Sequence, residues 1–327
     1  MTAKLSNPKA RLCALLITAA SLVATTAARS ADKPAVVDAK ISWKVGETRT
    51  YERVKGRTKL QKGKVASKGA GRSRLELKVL EASEKGYLLQ WSLSGTKTDD
   101  PIAAKDPFAV QFSRLIDSLK IKIELDENAS IIGVRNWKEL KATSEKMIST
   151  MTDPKLVKGM DRATAEKLRV AVGSMFSTKE RIEQAFTHEP RIFLAAIGRS
   201  YDQAQPVEYD QELPSPLNGA PIPCRGRIAL ESYDAKTGRA KVSMTQTVDP
   251  EVARRVILKS LKEMGEKLGR KDAPDAKSLG AFSVDDRGEF VIDVKTGWLE
   301  EANQSRTVTS GDSTQEDTLT FKRLKSR

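Results

Sequence analysis

The residues able to do acid, base or nucleophilic chemistry are few. His188 is the one imidazole in 327 residues, and there are two cysteines, Cys13 and Cys224. A single His excludes multi-histidine metal sites and Cys/His zinc clusters. A Ser–His–acid triad would have to use His188, which stands in Thr187-His188-Glu189-Pro190. A residue before proline is steered away from helix, so His188 is expected at a helix break, in a capping or surface role. Arg225 could lower the pKa of its neighbour Cys224, but no second Cys or His stands nearby, and the thiol reads as buried and inert. Asp99-Asp100 and Asp285-Asp286 have the composition of paired glycosidase carboxylates, yet both stand in turn-like contexts, where Asp serves the backbone. Ser94-Gly95-Thr96-Lys97 has the S-x-x-K spacing but ends a strand instead of opening a helix. The chain has no G-x-S-x-G elbow, EF-hand loop, phosphate loop or dinucleotide fingerprint. The expectation is a non-enzyme, with no catalytic residue, no metal and no cofactor.

Electrostatics carry more signal. Lys and Arg number 57 against 43 Asp and Glu, a net charge of +14. From Arg53 to Lys78 the basic residues are interrupted by Glu76 alone. Alternation along a strand puts Arg53, Lys55, Arg57 and Lys59 on one face, a candidate contact for an anionic membrane surface or an acidic envelope polymer. The same face also fits a solvated outer strand that keeps the protein soluble. No aromatic residues are interleaved for base stacking, so nucleic acid is not an expected partner.

These residues must be positioned by a folded core. Residues 72–97 alternate apolar and polar around Glu84-Lys85-Gly86, which predicts a hairpin with one wet face. Asp106-Pro107 has the chemistry of a helix start, followed by apolar residues at helical spacing from Phe108 to Leu119. A second hairpin follows through Ile123 and Val134, then Asn136-Trp137. The order recurs in the C-terminal third: a hairpin about Asp234–Gly238, a helix from Asp249-Pro250, and a hairpin with its turn expected at Asp285-Asp286-Arg287-Gly288. Gly297-Trp298 and two last strands complete it. Arg72-Ser73-Arg74-Leu75 echoes Arg225-Gly226-Arg227-Ile228. The reading is an internal duplication, with units at 41–140 and 201–327 and a helical segment at 141–200 between them. A chance recurrence of a common α+β arrangement stays open beside it. The helical segment is rich in methionine, a flexible filler of irregular apolar surfaces. Met147, Met151, Met160, Met175 and Phe176 are candidate ligand-lining residues, and ordinary core residues in the plainer reading.

Residues 1–28 combine Lys4, Lys9 and Arg11 with a short apolar run, Leu12 to Ala24, and a small-residue exit. This is the pattern of a secretory signal, cleaved near Ala28, and the run is too short to span a bilayer. Cleavage leaves a periplasmic or secreted chain with net charge +11, Cys224 as its lone cysteine, and residues 29–40 as a mobile leader. A lone cysteine makes no intramolecular disulfide.

At Lys44-Val45-Gly46-Glu47-Thr48-Arg49-Thr50-Tyr51, with Asn136-Trp137 further on, the chain resembles exported bacterial envelope proteins whose domains open with a K-x-G-E-x-x-x-Y strand. In element order over 41–324 it also resembles lipoprotein carriers of the LolA/LolB type. That resemblance implies an α+β fold, a curved antiparallel half-barrel covered by helices, with an apolar ligand between sheet and helices. The functional expectation is an exported binding protein for a lipid or other apolar or amphipathic ligand. The alternatives are an envelope interaction module without ligand, or a carboxylate-based hydrolase. The sequence does not set the oligomeric state.

Overall fold

The computed structural model describes residues 35–153, 161–174, 176–214, 221–267, 280 and 282–325. The expected signal segment, residues 29–34 of the expected leader, Met160 and Met175 lie outside the described residues.

The local patterns fold as their periodicities dictate. The chain opens with β1 (Val36–Asp38), then the long strands β2 (Thr48–Gln61), β3 (Lys64–Ser83) and β4 (Gly86–Thr98). Helix α1 (Pro107–Asp117) leads to β5 (Lys120–Leu125) and β6 (Ile131–Val134). Three helices follow: α2 (Trp137–Met151), α3 (Arg162–Ser174) and α4 (Lys179–Leu194). Then come β7 (Ser200–Asp202), β8 (Val207–Pro214), β9 (Pro221–Asp234), β10 (Arg239–Val248), α5 (Pro250–Lys267), β11 (Phe282–Asp293), β12 (Trp298–Ser310) and β13 (Ser313–Arg323). No helix among the described residues is long and apolar enough to cross a membrane.

Eleven strands form one antiparallel sheet in the order β6-β5-β4-β3-β2-β13-β12-β11-β10-β9-β8. The fold is α+β with a large curved sheet that does not close into a barrel. β1 and β7 make a separate two-stranded sheet. The meander β2-β3-β4, helix α1, then β5-β6 is repeated as β8-β9-β10, helix α5, then β11-β12. The two meanders run in the same direction across the sheet, and β13 joins them between β12 and β2. The Arg72–Leu75 and Arg225–Ile228 echo falls on the equivalent strands β3 and β9, and the two Asp-Pro pairs open the equivalent helices. The two Trp residues do not correspond: Trp137 begins α2, whereas Trp298 begins β12.

One face of the sheet is apolar and covered. Tyr51, Leu75, Leu77, Trp91, Ile123, Phe193, Phe290 and Phe321 belong to a main cluster beneath α4. Phe193 of α4 sits edge-on to Tyr51, Trp91 and Phe321, at ring distances of 5.0, 5.7 and 5.4 Å. A second, smaller cluster (Ile222, Cys224, Val248, Ala253 and Phe282) lies beneath α5 at the other end of β9, β10 and β11. The K-x-G-E-x-x-x-Y pattern has a plain structural reading. Gly46 takes φ +84°, Glu47 accepts the Lys44 amide at 3.1 Å, and buried Tyr51 donates to the Leu299 carbonyl at 2.8 Å.

Three expectations are corrected. Val36–Asp38 pairs with β7, and Val37 and Ala39 are buried, so the 35–40 part of the expected leader is built into the core. Pro190 does not break α4, because burial of Ile182, Thr187, Pro190 and Phe193 along one face holds the helix through it. His188 therefore sits mid-helix. Asp285-Asp286-Arg287-Gly288 is no turn: it lies within β11, and the chain reverses instead after Asp293, where Gly297 takes φ +70°.

Candidate functional site

Between the two apolar clusters, the inner face of the sheet carries a row of polar side chains. The row follows from register alone, since residues directly opposite in a ladder share a face. Arg57 of β2 faces Asp317 of β13, which faces Arg306 of β12, which faces Asp286 of β11. Asp286 faces Gln246 of β10, which faces Gly226 of β9, which faces Tyr209 of β8. Arginine and carboxylate alternate, then the row ends in an amide, a glycine and a phenol. Gly226 is required there, because a Cβ at this position would lie 2.2 Å from the Tyr209 ring.

The floor of the row is buried and mostly satisfied. Asp286, 5% exposed, accepts two bonds of 2.7 Å from Arg306 and one of 3.3 Å from Gln304. Burial alone would lower the Arg306 pKa, and the bidentate bond to Asp286 more than reverses it. Asp317 accepts from Arg57 and from Gln315 Nε2. Burial opposes its charge, but the bond from Arg57 keeps its carboxyl below the ordinary range. Gln246, also 5% exposed, accepts from Gln211 through Oε1, while its Nε2 is buried with no partner among the described residues. A buried donor left without an acceptor costs about 1–3 kcal/mol.

Helix α4 supplies the rim. Glu189 reaches down to Arg53, with bonds of 2.7 and 2.6 Å, and also takes Lys55 at 3.1 Å. Burial would raise its carboxyl, yet these cations hold it down at about 2. His188 is exposed, one residue earlier. The surrounding protein and the charges of Arg306 and Lys55 push its imidazole below the ordinary 6.5, which leaves it neutral at pH 7. Cys224 is buried with its Sγ 3.2 Å from the Gln211 carbonyl, and burial pushes its thiol up.

The predicted site residues separate on the structure. Arg53, Lys55, Arg57 and Lys59 do share one face of β2, but it is the inner face, the one carrying Tyr51. Arg53 is 8% exposed and locked to Glu189 and Ser73, so it cannot touch an outside surface. Lys55 and Arg57 are half-exposed partners of Glu189 and Asp317, and Lys59 is exposed. Met147 and Met151 are half-buried on α2, outside the main cluster; Phe176 packs against that cluster and sits 6.4 Å from the Phe186 ring. The space between α4 and the sheet is filled by the ring cluster around Phe193. Sequence reasoning discarded Asp286 as a turn residue and left Arg306, Asp317 and Gln246 unmarked. Their alternation with buried neighbours was the available signal, but only the register joins them.

Chemically the row offers fixed charge pairs, an unused amide donor and a neutral imidazole at its edge. Asp317 and Glu189 are held ionised, so neither is placed to give up a proton at neutral pH, and Asp286 is clamped by Arg306. An open cavity of about 410 Å³, lined by Arg239, Glu300, Arg323 and Lys325 among others, lies elsewhere, and a smaller one of about 140 Å³ lies beside Arg225 and Arg227.

No family model and no curated protein matches the chain. Among solved structures it is similar to lipovitellin, described for its lipid–protein interactions, at 8% identity and a TM-score of 0.42. That match covers 87% of this chain and 26% of lipovitellin, so the chain spans about a quarter of that protein's length. It is also similar to DynF from the dynemicin biosynthesis pathway of Micromonospora chersina, at 6% identity and a TM-score of 0.19, over 90% of this chain and 88% of that one.

Proposed function

We propose that the protein is an exported, non-enzymatic binding protein that seats an amphipathic ligand on the inner face of its sheet, between α4 and α5. The observation that carries this reading is the polar row itself. It crosses seven strands, borders both apolar clusters, and contains a buried amide donor with no acceptor among the described residues. Burying charges is costly even when they are paired, and an apolar row of the same shape would be as stable or more so. A ligand whose polar group accepts from Gln246 Nε2, and whose chain lies along an apolar cluster, uses what the fold leaves open. Such a ligand would enter past His188 and Lys55, the exposed rim.

Native mass spectrometry of the purified chain, with titration of a long-chain fatty acid and a lysophospholipid by calorimetry, tests this. The expected result is binding of one amphiphile, weakened about tenfold in Q246L, which removes the donor and keeps the volume. Absence of any co-purified or titrated ligand, or an unchanged affinity in Q246L, overturns it. The mutual pairing of Arg57 with Asp317 and of Arg306 with Asp286 favours the second reading, an interaction module with a filled interior, and that module binds no amphiphile.

A further inference from the structure

Beyond the polar row, β2 and β3 continue as a ribbon at the edge of the sheet, with β13 paired to β2 as far as Gln61. β4 pairs with β3 only from Gly71 onward, so residues 64–70 of β3 have β2 as their only ladder neighbour. From Lys64 to Gly69 every residue is exposed, on both faces of the strand. The turn is Lys62-Gly63, with φ +52° and +73°. Two consecutive left-handed residues match the twist of a tight hairpin. The tip is fixed by the Lys62 amide, which donates to the Asp312 carbonyl in the neighbouring hairpin at 2.8 Å.

The ribbon's composition is one-sided. Between Lys55 and Gly71 there is no acidic residue. Lys55 and Arg57 are engaged with Glu189 and Asp317. Lys59, Lys62, Lys64 and Lys68 are exposed and have no ion pair among the described residues. The carboxylates brought nearest by the sheet are Asp317 and Glu316 on β13 and Asp312 at the adjoining turn. Amid these lysines Val65 is 63% exposed. A lysine edge by itself is a device against strand-to-strand aggregation. An aliphatic side chain at the centre of that edge adds nothing to such a device, and it suits a surface with an anionic layer over an apolar one.

We infer that this ribbon docks on an anionic lipid bilayer, with Lys59, Lys62, Lys64 and Lys68 against head groups and Val65 pressed into the interface. The seat on the inner face is not involved, so the two assignments stand or fall separately. Lysines near an anionic membrane each contribute several-fold to binding, and the attraction is screened by salt.

The test is co-sedimentation of the full chain with vesicles of phosphatidylcholine alone and of phosphatidylcholine with phosphatidylglycerol. The expected result is binding only to the mixed vesicles, lost at high salt. K59Q/K64Q/K68Q should weaken it about 100-fold, and V65S should weaken it a further few-fold at low salt. These positions are exposed, and unchanged circular dichroism confirms that the variants fold. Equal sedimentation with both vesicle types, or an unaffected triple variant, overturns the inference. Retention on a soluble polyanion such as polyphosphate without binding to mixed vesicles also overturns it, and makes the partner a polymer.

Discussion

Glu189 ties a helix to a strand through two cations, and its energetics are read from the same contacts. Arg53 is buried, so removing the Glu189 carboxylate leaves its charge with no ionic counterpart and only the Ser73 hydroxyl to bond. E189Q should cost about 3–5 kcal/mol at pH 7, measured by urea unfolding. The folded carboxyl sits at about 2, whereas an unfolded glutamate sits at about 4.3. Its contribution is therefore fully present above the unfolded value and is lost as pH falls through the folded one. The wild type should lose stability over that window, and E189Q should lose less over the same pH range. A parallel dependence in both proteins would show that the ion pair contributes nothing. His188 has the opposite chemistry. Its neutral form is favoured in the fold, so folding stability should fall as pH drops below about 6.5. A histidine resonance titrating at or above that value would contradict the crowding of Arg306 and Lys55 around it.

Helix α4 is the element that turns a curved sheet into a covered one, and Phe193 is its anchor. The ring is fully buried among Tyr51, Trp91 and Phe321, which come from three strands. F193A should cost about 3–5 kcal/mol in a denaturant titration, and a cost below 1 kcal/mol would mean that the helix is held by something else. At this scale much of the fold was legible. The hairpin at Gly86 and the Asp-Pro helix starts follow from period-two alternation and capping chemistry, which are local. Pro190 misled because the local rule against proline in a helix was outweighed by burial on both sides of it. Asp285-Asp286-Arg287-Gly288 misled because its composition is that of a turn, while the ladder on either side makes it strand. The polar row was not legible at all. Arg57 and Asp317 are brought together by β13 crossing to β2, a pairing with no local signature. The face of β2 was read correctly as alternating, but only Tyr51 packing under α4 decides that this face turns inward.

Across the whole molecule, the question is whether two apolar clusters separated by a charged row make one folding unit or two. The clusters share their strands. β9 carries Ile228 and Leu230 in the main cluster and Ile222 and Cys224 in the other, and β11 likewise carries Phe290 and Phe282. On β11 the two clusters are separated by Asp286, which is buried and held by Arg306 of β12, so neither end of that strand can detach without exposing a buried charge. Residues 35 onward also form one compact unit. The expectation is a single cooperative transition. Two built-in reporters can check it: Trp43, Trp91 and Trp298 lie in the main cluster, and Cys224 lies in the smaller one. In a C13S chain, tryptophan fluorescence and Cys224 labelling by a thiol reagent should give the same urea midpoint, since burial keeps the folded thiol protonated and out of reach. Labelling that precedes the fluorescence change would place a boundary along the charged row. The region beneath α5 would then open on its own, and the row would act as a hinge instead of a seam.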